Sequence, residues 1–228
     1  MKRSAVNSII RNAMDIFNRH GFLLPPFARY SLADWEQHRH DSQEIFDLGL
    51  GWDVTTFGSG DFFREGLLLF TLRNGKFQSP DYPKCYAEKI MLVEEEQITP
   101  QHFHWHKQED IINRGGGNLL IEVWQADRAT EKITDEDVTL VVDGQKRTFK
   151  SGEILRLTPG ESVSMTQYTA HRFYGEKGFG PVMTGEVSMV NDDHTDNCFI
   201  DKKERFDVIE EDETPLHLLC SDYGKFLF

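Results

Sequence analysis

Residues 102–109, with the sequence HFHWHKQE, carry imidazole and carboxylate side chains at a spacing that could bind a metal ion. Side chains two positions apart on a β-strand point to the same face, so His102 and His104 should project side by side. Glu109 can reach back toward them after a short bend. Two imidazoles and one carboxylate can bind a divalent transition metal and leave coordination positions open for a substrate. His171, in a second β-rich stretch, is the expected fourth ligand.

The ligand pair could instead be His104 and His106, because His106 lies on the same face of the predicted strand. If His104 and His106 were the pair, only two residues would lie between His106 and Glu109. That is a tight turn for a carboxylate that must fold back. A patch of surface histidines without a metal is a further alternative. The spacing favours a metal site built on His102 and His104, with His106 at its rim.

Short strands are the elements that the sequence predicts around these residues. From about residue 52 onward, apolar or alternating runs are separated by turn signals, among them 67–72, 86–93, 119–124, 139–142, 154–157, 163–167 and 182–190. Such a density of short strands without intervening helices is typical of antiparallel sandwiches and barrels. Asn-Gly at 74–75 and Asp-Gly at 143–144 predict hairpins. Three glycines at 115–117, between two strands, predict a tight turn or bulge rather than a phosphate cradle.

Amphipathic helices are expected before the strands. Residues 4–20 place Val6, Ile9, Ile10, Ala13 and Phe17 on one helix face. Ser4 is the expected N-cap and Gly21 the stop. A second short helix should begin at Ser31, where Asp34 can complete a capping box. We expect one all-β domain, with a helical extension at 1–50, an antiparallel β-barrel at 51–200 and a C-terminal stretch at 201–228 whose acidic residues 204–213 wrap over the surface.

The composition argues against several classes of partner. A formal net charge of -13 over 228 residues repels phosphate backbones, so no nucleic-acid partner is expected. The chain has no run of about 18 apolar residues and no continuous apolar stretch near its N-terminus, which argues against a membrane span and a signal peptide. Three widely spaced cysteines without a CxxC motif indicate reduced thiols. Together these features predict a cytoplasmic protein without a membrane partner.

The motifs resemble those of the cupin superfamily, in which H-x-H-x(3,4)-E and a later histidine line a small β-barrel, or jelly roll. Pro159-Gly160 followed by His171 resembles the second motif, and an inserted hairpin at 143–144 would explain the long gap. More narrowly, HFHWHKQEDIINRGGGNLLIEVW and GEVSMVNDDHTDNCF resemble the D-lyxose isomerase family over most of the chain. That resemblance implies an aldose–ketose isomerase acting on D-lyxose and D-mannose with a divalent metal. Manganese is the ion it implies, while Zn, Co, Fe and Ni suit the same ligands.

Isomerisation by proton transfer between C1 and C2 of an open-chain sugar needs a base near both carbons. A metal-supported hydride shift between the same carbons is the alternative and needs no base. Glu204, in the charged run DKKER, is the carboxylate that we expect in this role, because neighbouring cations could hold it ionised. A solvated charge run is the alternative. Lys89 and Lys107 are candidate donors to the sugar oxygens, although either could be a surface lysine.

The remaining candidates concern substrate and partners. Glu186, Asp192, Asp193 and Arg205 could contact sugar hydroxyls, since carboxylates and guanidinium groups form several hydrogen bonds each. A monosaccharide is the expected partner, together with a second copy of the chain in a homodimer, because two-fold assemblies are the commonest. A metal-dependent cupin dioxygenase, which would consume O2, and a non-catalytic sugar-binding cupin are alternatives on the same ligands.

Overall fold

The structure, a computed structural model, describes residues 1–190 and 195–228. Its helices are α1 (Arg3–Arg19), α2 (Leu32–His38), α3 (Gln43–Asp47) and α4 (Tyr223–Phe226), with 3-10 turns at Pro26–Arg29, Arg39–Asp41 and Cys220–Asp222. Its strands are β1 (Gly51–Thr55), β2 (Leu67–Arg73), β3 (Tyr86–Val93), β4 (Thr99–Phe103), β5 (Glu109–Gly116), β6 (Leu119–Gln125), β7 (Val138–Val142), β8 (Gln145–Phe149), β9 (Glu153–Leu157), β10 (Ser162–Met165), β11 (Thr169–Gly175), β12 (Val182–Met189) and β13 (Cys198–Phe199). Within the described ranges, no helix combines the length and the apolar character that crossing a membrane requires.

The strands form two antiparallel sheets, which confirms the expected all-β, cupin-type fold with short N-terminal helices. The larger sheet has the order β1-β2-β3-β12-β5-β10-β7-β8, and the smaller has the order β13-β4-β11-β6-β9. Leu69 and Met91 of the larger sheet share one buried apolar cluster with Phe173 of the smaller sheet. Removal of these two inner faces from water is the main force that holds the sheets together. The division into one domain with boundaries near 50 and 200 stays a prediction.

The helices form where the local signals predict them. The five apolar residues expected on one face of α1 are all buried, and they pack on the outer side of β1 and β2. The helix ends in a Schellman motif, since the Phe22 N–H donates to the Phe17 carbonyl (2.9 Å) and Gly21 takes a φ of +71°. The capping box at the start of α2 is confirmed, because the Ser31 and Asp34 side chains each bond the other's backbone N–H.

The start of α1 differs from its prediction. Ser4 is not the N-cap: that position is Lys2, whose side chain makes no capping bond. The Ser4 hydroxyl donates instead to Asp212 (2.7 Å), and the Arg3 N–H donates to the Glu210 carbonyl (2.8 Å). The C-terminal stretch therefore satisfies the first N–H groups of the helix, which removes the need for a local cap.

The two predicted hairpins have different outcomes. Asp143 (φ +47°) and Gly144 (φ +78°) form the two-residue connection between the paired strands β7 and β8, as expected. The hairpin expected at 74–75 does form between the antiparallel strands β2 and β3, but not through a two-residue turn, because residues 74–85 all lie in its connection. The Asn-Gly pair starts this long connection rather than closing a tight turn.

The glycines at 115–117 form a bulge, which is one of the two structures predicted for them. Gly115 and Gly116 take φ values of +147° and +90°, and the register between β5 and β12 shifts beside them. A Cβ at Gly116 would lie 2.3 Å from the Pro181 carbonyl oxygen, so no larger residue fits without movement. The bulge ends β5 and leads the chain into β6 of the other sheet.

Candidate metal centre and active site

Three histidines converge inside the barrel. His102 on β4 is the register partner of His171 on β11, and His104 follows two positions after His102. The ligand nitrogens of these three all lie within 4.8 Å of one another, and the side chains are buried. His106 is exposed and stacks on Phe77 instead. The alternative pair of His104 and His106 is therefore not brought together here.

Each of the three rings is oriented by a hydrogen bond from Nδ1–H to a backbone carbonyl. The bonds run from His102 to Pro100 (2.8 Å), from His104 to Asp196 (2.5 Å) and from His171 to Thr169 (3.0 Å). This bond sets the tautomer and leaves the lone pair on Nε2, which is the usual state of a histidine that binds a metal. Burial lowers the pKa of both His102 and His171, well below the ordinary value of 6.5 for His102, so these rings are neutral.

Glu109, the first residue of β5, brings a carboxylate to the histidines from the opposite sheet. Its Oε1 lies 3.3 Å from His104 Nε2 and 3.4 Å from His171 Nε2. Burial raises the pKa of Glu109, but the Lys107 ammonium and the His104 ring lower it by more than burial raises it. The pKa therefore lies well below its usual range. His104 Nε2 is buried and forms no hydrogen bond with a described residue. Three imidazole nitrogens, of which this buried one is unsatisfied, and one carboxylate oxygen fit a divalent transition metal.

A row of buried charges continues from Glu109 across the larger sheet. Lys107 Nζ lies 2.7 Å from Glu109 Oε2 and 3.0 Å from Glu186 Oε1, and Lys89 Nζ lies 3.3 Å from the same Glu186 oxygen. Burial raises the pKa of Glu186, but the ammonium groups of Lys107 and Lys89 outweigh burial and leave it below its usual value. Each charge in this row therefore faces an opposite one, which offsets part of the cost of its burial.

The histidines and this charged row enclose a small cavity of about 40 Å³. Arg205 also lines it, and its Nη2 donates to Asp53 Oδ2 (2.5 Å). A wider cavity of about 810 Å³ shares Lys89 with the small one and includes Asp53 and Thr71 in its wall. The polar groups that line the small cavity are therefore continuous with the wall of the wider cavity.

The other expected site residues lie in different places. Glu204 is exposed and is not among the residues that line the small cavity. Its N–H donates to the Phe57 carbonyl (3.4 Å), and its side chain lies against Gly58. Asp192 and Asp193 lie outside the described residues. The structure thus brings Lys89, Lys107, Glu186 and Arg205 to the four proposed ligands, while Glu204 stays at the rim.

Two residues of the site were missed by sequence reasoning. Asp53 is a charged residue within the apolar strand β1, and the same signal that singled out Lys89 would have found it. Asp196 bonds both to His104 and to the backbone next to it, yet it lies in a polar stretch without any periodic pattern. Only the folded chain reveals its position.

The fold and this cluster define a cupin-type barrel with a candidate metal centre in its interior. The family described as D-lyxose isomerase matches residues 1–223, and the chain belongs to this family. Two similar proteins are both called D-lyxose/D-mannose isomerase. One, from Escherichia coli O157:H7, is 51% identical over 99% of this chain and 100% of its own length, and one from Serratia proteamaculans is 53% identical over the full length of both.

Solved structures of other sugar isomerases share the fold. An L-ribose isomerase from Acinetobacter sp. DL28 in complex with L-ribose has a TM-score of 0.60 at 13% identity, over 88% of this chain and 93% of its own. An L-ribose isomerase from Cellulomonas parahominis has a TM-score of 0.59 at 14% identity, over 92% and 98% of the two chains. Identities this low show the fold alone. The family membership makes this chain an aldose–ketose isomerase of a monosaccharide, rather than a dioxygenase or a non-catalytic binding protein.

Proposed function

We propose that the chain interconverts D-lyxose with D-xylulose, and D-mannose with D-fructose, using a bound divalent metal ion, and that this ion is manganese. The observation that carries this proposal is the convergence of three imidazoles and one ionised carboxylate in a chain that is 51–53% identical to two D-lyxose/D-mannose isomerases. D-lyxose and D-mannose share their configuration through C4, so one site can accept both sugars. A cytoplasmic homodimer remains our expectation for the whole protein.

His102, His104, Glu109 and His171 would hold the metal. When bound, the metal would act as a Lewis acid toward the carbonyl and the neighbouring hydroxyl of the open-chain sugar. The protein prepares its ligands in advance, because the imidazoles are oriented by carbonyls and the carboxylate is kept ionised by Lys107. Burial keeps the pKa of His102 and His171 low, so neither ring has to lose a proton before the ion binds.

The residues beside the ligands would bind and orient the sugar. Lys107 and Lys89 offer ammonium donors to its oxygens, and Glu186 offers a carboxylate that accepts from its hydroxyls. Arg205, which lines the small cavity, would donate to a further hydroxyl. The small cavity has room for only one end of a pentose. The rest of the sugar would extend past Lys89 into the wider cavity.

The proposed chemical step is a proton transfer. A base removes the proton from C2 of the aldose and returns it to C1, while the hydroxyl proton passes from O2 to O1. The intermediate is a cis-enediolate, and no atom or electron leaves the substrate. We propose Glu204 as the base. Its neighbour Arg205 lines the small cavity, and the exposure of Glu204 would let its proton exchange with water.

Glu186 is the competing carboxylate, and its surroundings make it a weaker base. One oxygen accepts from Lys107 (3.0 Å) and from the Ser188 hydroxyl (2.9 Å), and lies beside Lys89. A carboxylate whose pKa is lowered by two ammonium groups gains less on accepting a proton. Glu186 is better suited to hold the two lysines in place.

The test is an isosteric substitution of Glu204, set against a control carboxylate in the same run. Glu204→Gln should lower kcat by about 10²–10⁴-fold, the usual contribution of a general base, while metal content stays at the wild-type level. Asp201→Asn, an exposed carboxylate in the same charged run, is the matched control and should keep full activity. Turnover of D-lyxose in D2O by the wild type should place deuterium at C1 or C2 of the sugars. A fully active Glu204→Gln variant would remove Glu204 from this role and transfer it to Glu186 or Asp193.

A separate experiment addresses the substrate. The metal-loaded protein is incubated without oxygen with D-lyxose, D-mannose, D-xylose and D-glucose, and the products are separated by chromatography. We expect D-xylulose from D-lyxose and D-fructose from D-mannose, with much less ketose from the two C2 epimers. A preference for D-xylose or D-glucose would contradict the proposed substrate class and leave the isomerase assignment intact.

A further inference from the structure

The bend between His104 and Glu109 is held by one carboxylate from a distant part of the chain. Asp196 Oδ1 accepts the N–H groups of Trp105 (2.9 Å) and His106 (3.0 Å), and its Oδ2 accepts the N–H of Lys107 (3.0 Å). Three successive backbone donors therefore point at one side chain that is only 6% exposed. Hydrogen bonds to an ionised acceptor are about twice as strong as those between neutral groups, and burial strengthens them further.

The same residue also orients one of the three histidines. The Asp196 carbonyl accepts the Nδ1–H of His104, 92 positions away in the chain (2.5 Å). His102 and His171 differ in this respect, because each bonds the carbonyl of a residue two positions earlier on its own strand. Two rings are thus oriented by local geometry, whereas the orientation of His104 depends on where Asp196 lies.

The two contacts of Asp196 are mechanically linked. Its side chain is anchored by the bend, so its own backbone, which carries the carbonyl that meets His104, is anchored as well. The bend in turn sets the start of β5, where Glu109 begins, and the position of Lys107 between two carboxylates. Loss of the carboxylate would therefore loosen one imidazole ligand and the carboxylate ligand together.

We infer that Asp196 is a positioning residue that holds His104 and Glu109 in the arrangement that binds the metal. It acts through these two ligands and touches neither the metal nor the sugar. The inference rests on the proposed metal site. It is distinct from that site because Asp196 supplies no ligand atom, and the site would retain all four ligands without it. The expected consequence is a weaker metal site with an unchanged fold.

Asp196→Asn tests this inference in the full-length protein. The asparagine has a similar shape but only one acceptor oxygen, and its amide would face a backbone donor. Affinity for Mn2+, measured by chelator competition with electron paramagnetic resonance of the free ion, should fall by about 10–100-fold, as for other residues that orient metal ligands. The visible spectrum of the Co2+-loaded variant should also shift, because the ligand geometry around the ion changes. Asp196→Glu, which restores two acceptor oxygens, should recover part of the affinity.

The matched control is Asp127→Asn. Asp127 caps a turn in the same manner, since its Oδ1 accepts the N–H groups of Ala129 (3.1 Å) and Thr130 (2.7 Å), but this turn is exposed and carries no proposed ligand. The Mn2+ affinity of Asp127→Asn and the visible spectrum of its Co2+-loaded form should match those of the wild type. The far-ultraviolet circular dichroism spectra of metal-free Asp196→Asn and metal-free Asp127→Asn should be the same. A fall in affinity that is equal in both variants would mean a general effect of turn capping and would overturn the inference.

Two other outcomes separate the inference from the proposed function. If the wild type binds Mn2+ tightly and Asp196→Asn binds it within about twofold of that affinity, the positioning role is overturned and the metal site stands. If the wild type binds no divalent metal at all, both are overturned, because Asp196 then has no metal ligands to position.

Discussion

Two buried ion clusters in this molecule are built from similar side chains and differ in how completely their hydrogen bonds are satisfied. Between α1 and the C-terminal stretch, Arg3 donates four hydrogen bonds of 2.8–2.9 Å to Glu211 and Asp222. Both oxygens of each carboxylate take part. Inside the barrel, Glu109 lies 3.3 Å from His104 Nε2, yet this buried nitrogen forms no hydrogen bond with a described residue.

The difference shows what each cluster is for. The guanidinium and its two carboxylates satisfy one another, so the protein alone completes that cluster. The ligand nitrogens of the three histidines lie within 4.8 Å of one another and beside Glu109 Oε1, and grouping buried polar atoms in this way is costly unless something binds there. The first arrangement ties the two ends of the chain together, and the second prepares a site. We therefore expect substitutions in the first to lower stability and substitutions in the second to remove function.

The largest expected effect is the loss of a metal ligand. His104→Ala and His171→Ala should each strip the metal and lower kcat/KM by more than about 100-fold, beyond the range typical of residues that only orient ligands. Elemental analysis measures the metal. Added Mn2+ should raise the unfolding temperature of the wild type by mass action but not that of either variant.

His106→Ala is the control for these variants, because His106 is exposed and stacks on Phe77 outside the cluster. It should keep its metal and its activity. Loss of metal in His106→Ala together with retention in His102→Ala would move the ligand pair by two residues. Unchanged metal content in both His104→Ala and His171→Ala would refute the assignment.

The other cluster should respond in stability alone. Arg3→Leu removes the cation that faces the buried Asp222 and leaves Glu211 paired with Lys225 (2.7 Å). The removal of one partner of a buried pair typically costs about 3–5 kcal/mol. Urea unfolding of the metal-free protein measures the free energy of unfolding. Metal binding and kcat of the folded fraction should match the wild type.

Arg19→Leu is the matched control, since Arg19 is an exposed arginine at the other end of the same helix. Its effect on the free energy of unfolding should stay within about 0.5 kcal/mol. If Arg3→Leu lost less than about 1 kcal/mol, the two clusters would not differ in the way proposed. A loss of metal in Arg3→Leu would equally contradict the separation between them.

The smallest expected effect is a pH dependence of the free energy of unfolding, which originates at the contact between Arg3 and Glu211. Side-chain hydrogen bonding to Arg3 lowers the pKa of Glu211 from 4.5 to about 2. Because the folded value is the lower one, this contribution to stability is complete above about pH 4.5 and is lost as pH falls toward 2. Glu211→Gln removes the titrating group. The stability difference between the wild type and this variant should therefore be constant above pH 5 and shrink steadily between pH 4.5 and 2. A difference that does not change over that range would exclude Glu211 as the source.

Much of the fold and part of the site could be predicted because their signals are local. The apolar stripe of α1, the Ser31–Asp34 box and the Asp143-Gly144 turn each depend on residues within a few positions of one another. The H-x-H spacing belongs to the same class, since strand geometry alone puts two side chains on one face. The Asn-Gly signal at 74–75 marked the reversal between β2 and β3 but not the length of the connection, because a turn signal carries no information about how far the chain runs before the strands pair.

The parts that could not be predicted depend on residues far apart in the chain. Ser4 lost its expected capping role to the C-terminal stretch, about two hundred positions later. Glu204 was expected to be the base because its charged neighbours could hold it ionised, but charge alone does not predict how far a side chain lies from a cavity, and the structure leaves Glu204 exposed. Asp196 had no local signal at all, and its importance appears only once the bend at 105–107 is folded against it.

The sequence by itself determined the types of ligand, the alternation that puts two imidazoles on one strand face, and an acidic, strand-rich chain of the D-lyxose isomerase family. Those properties follow from the period of a strand and from side-chain chemistry, both of which are local. The tertiary structure decided which histidine completes the set, which sheet supplies the carboxylate, and which lysines neutralise it. These depend on strand order and register, because packing two sheets face to face is what brings His102, Glu109 and His171 within reach of one another.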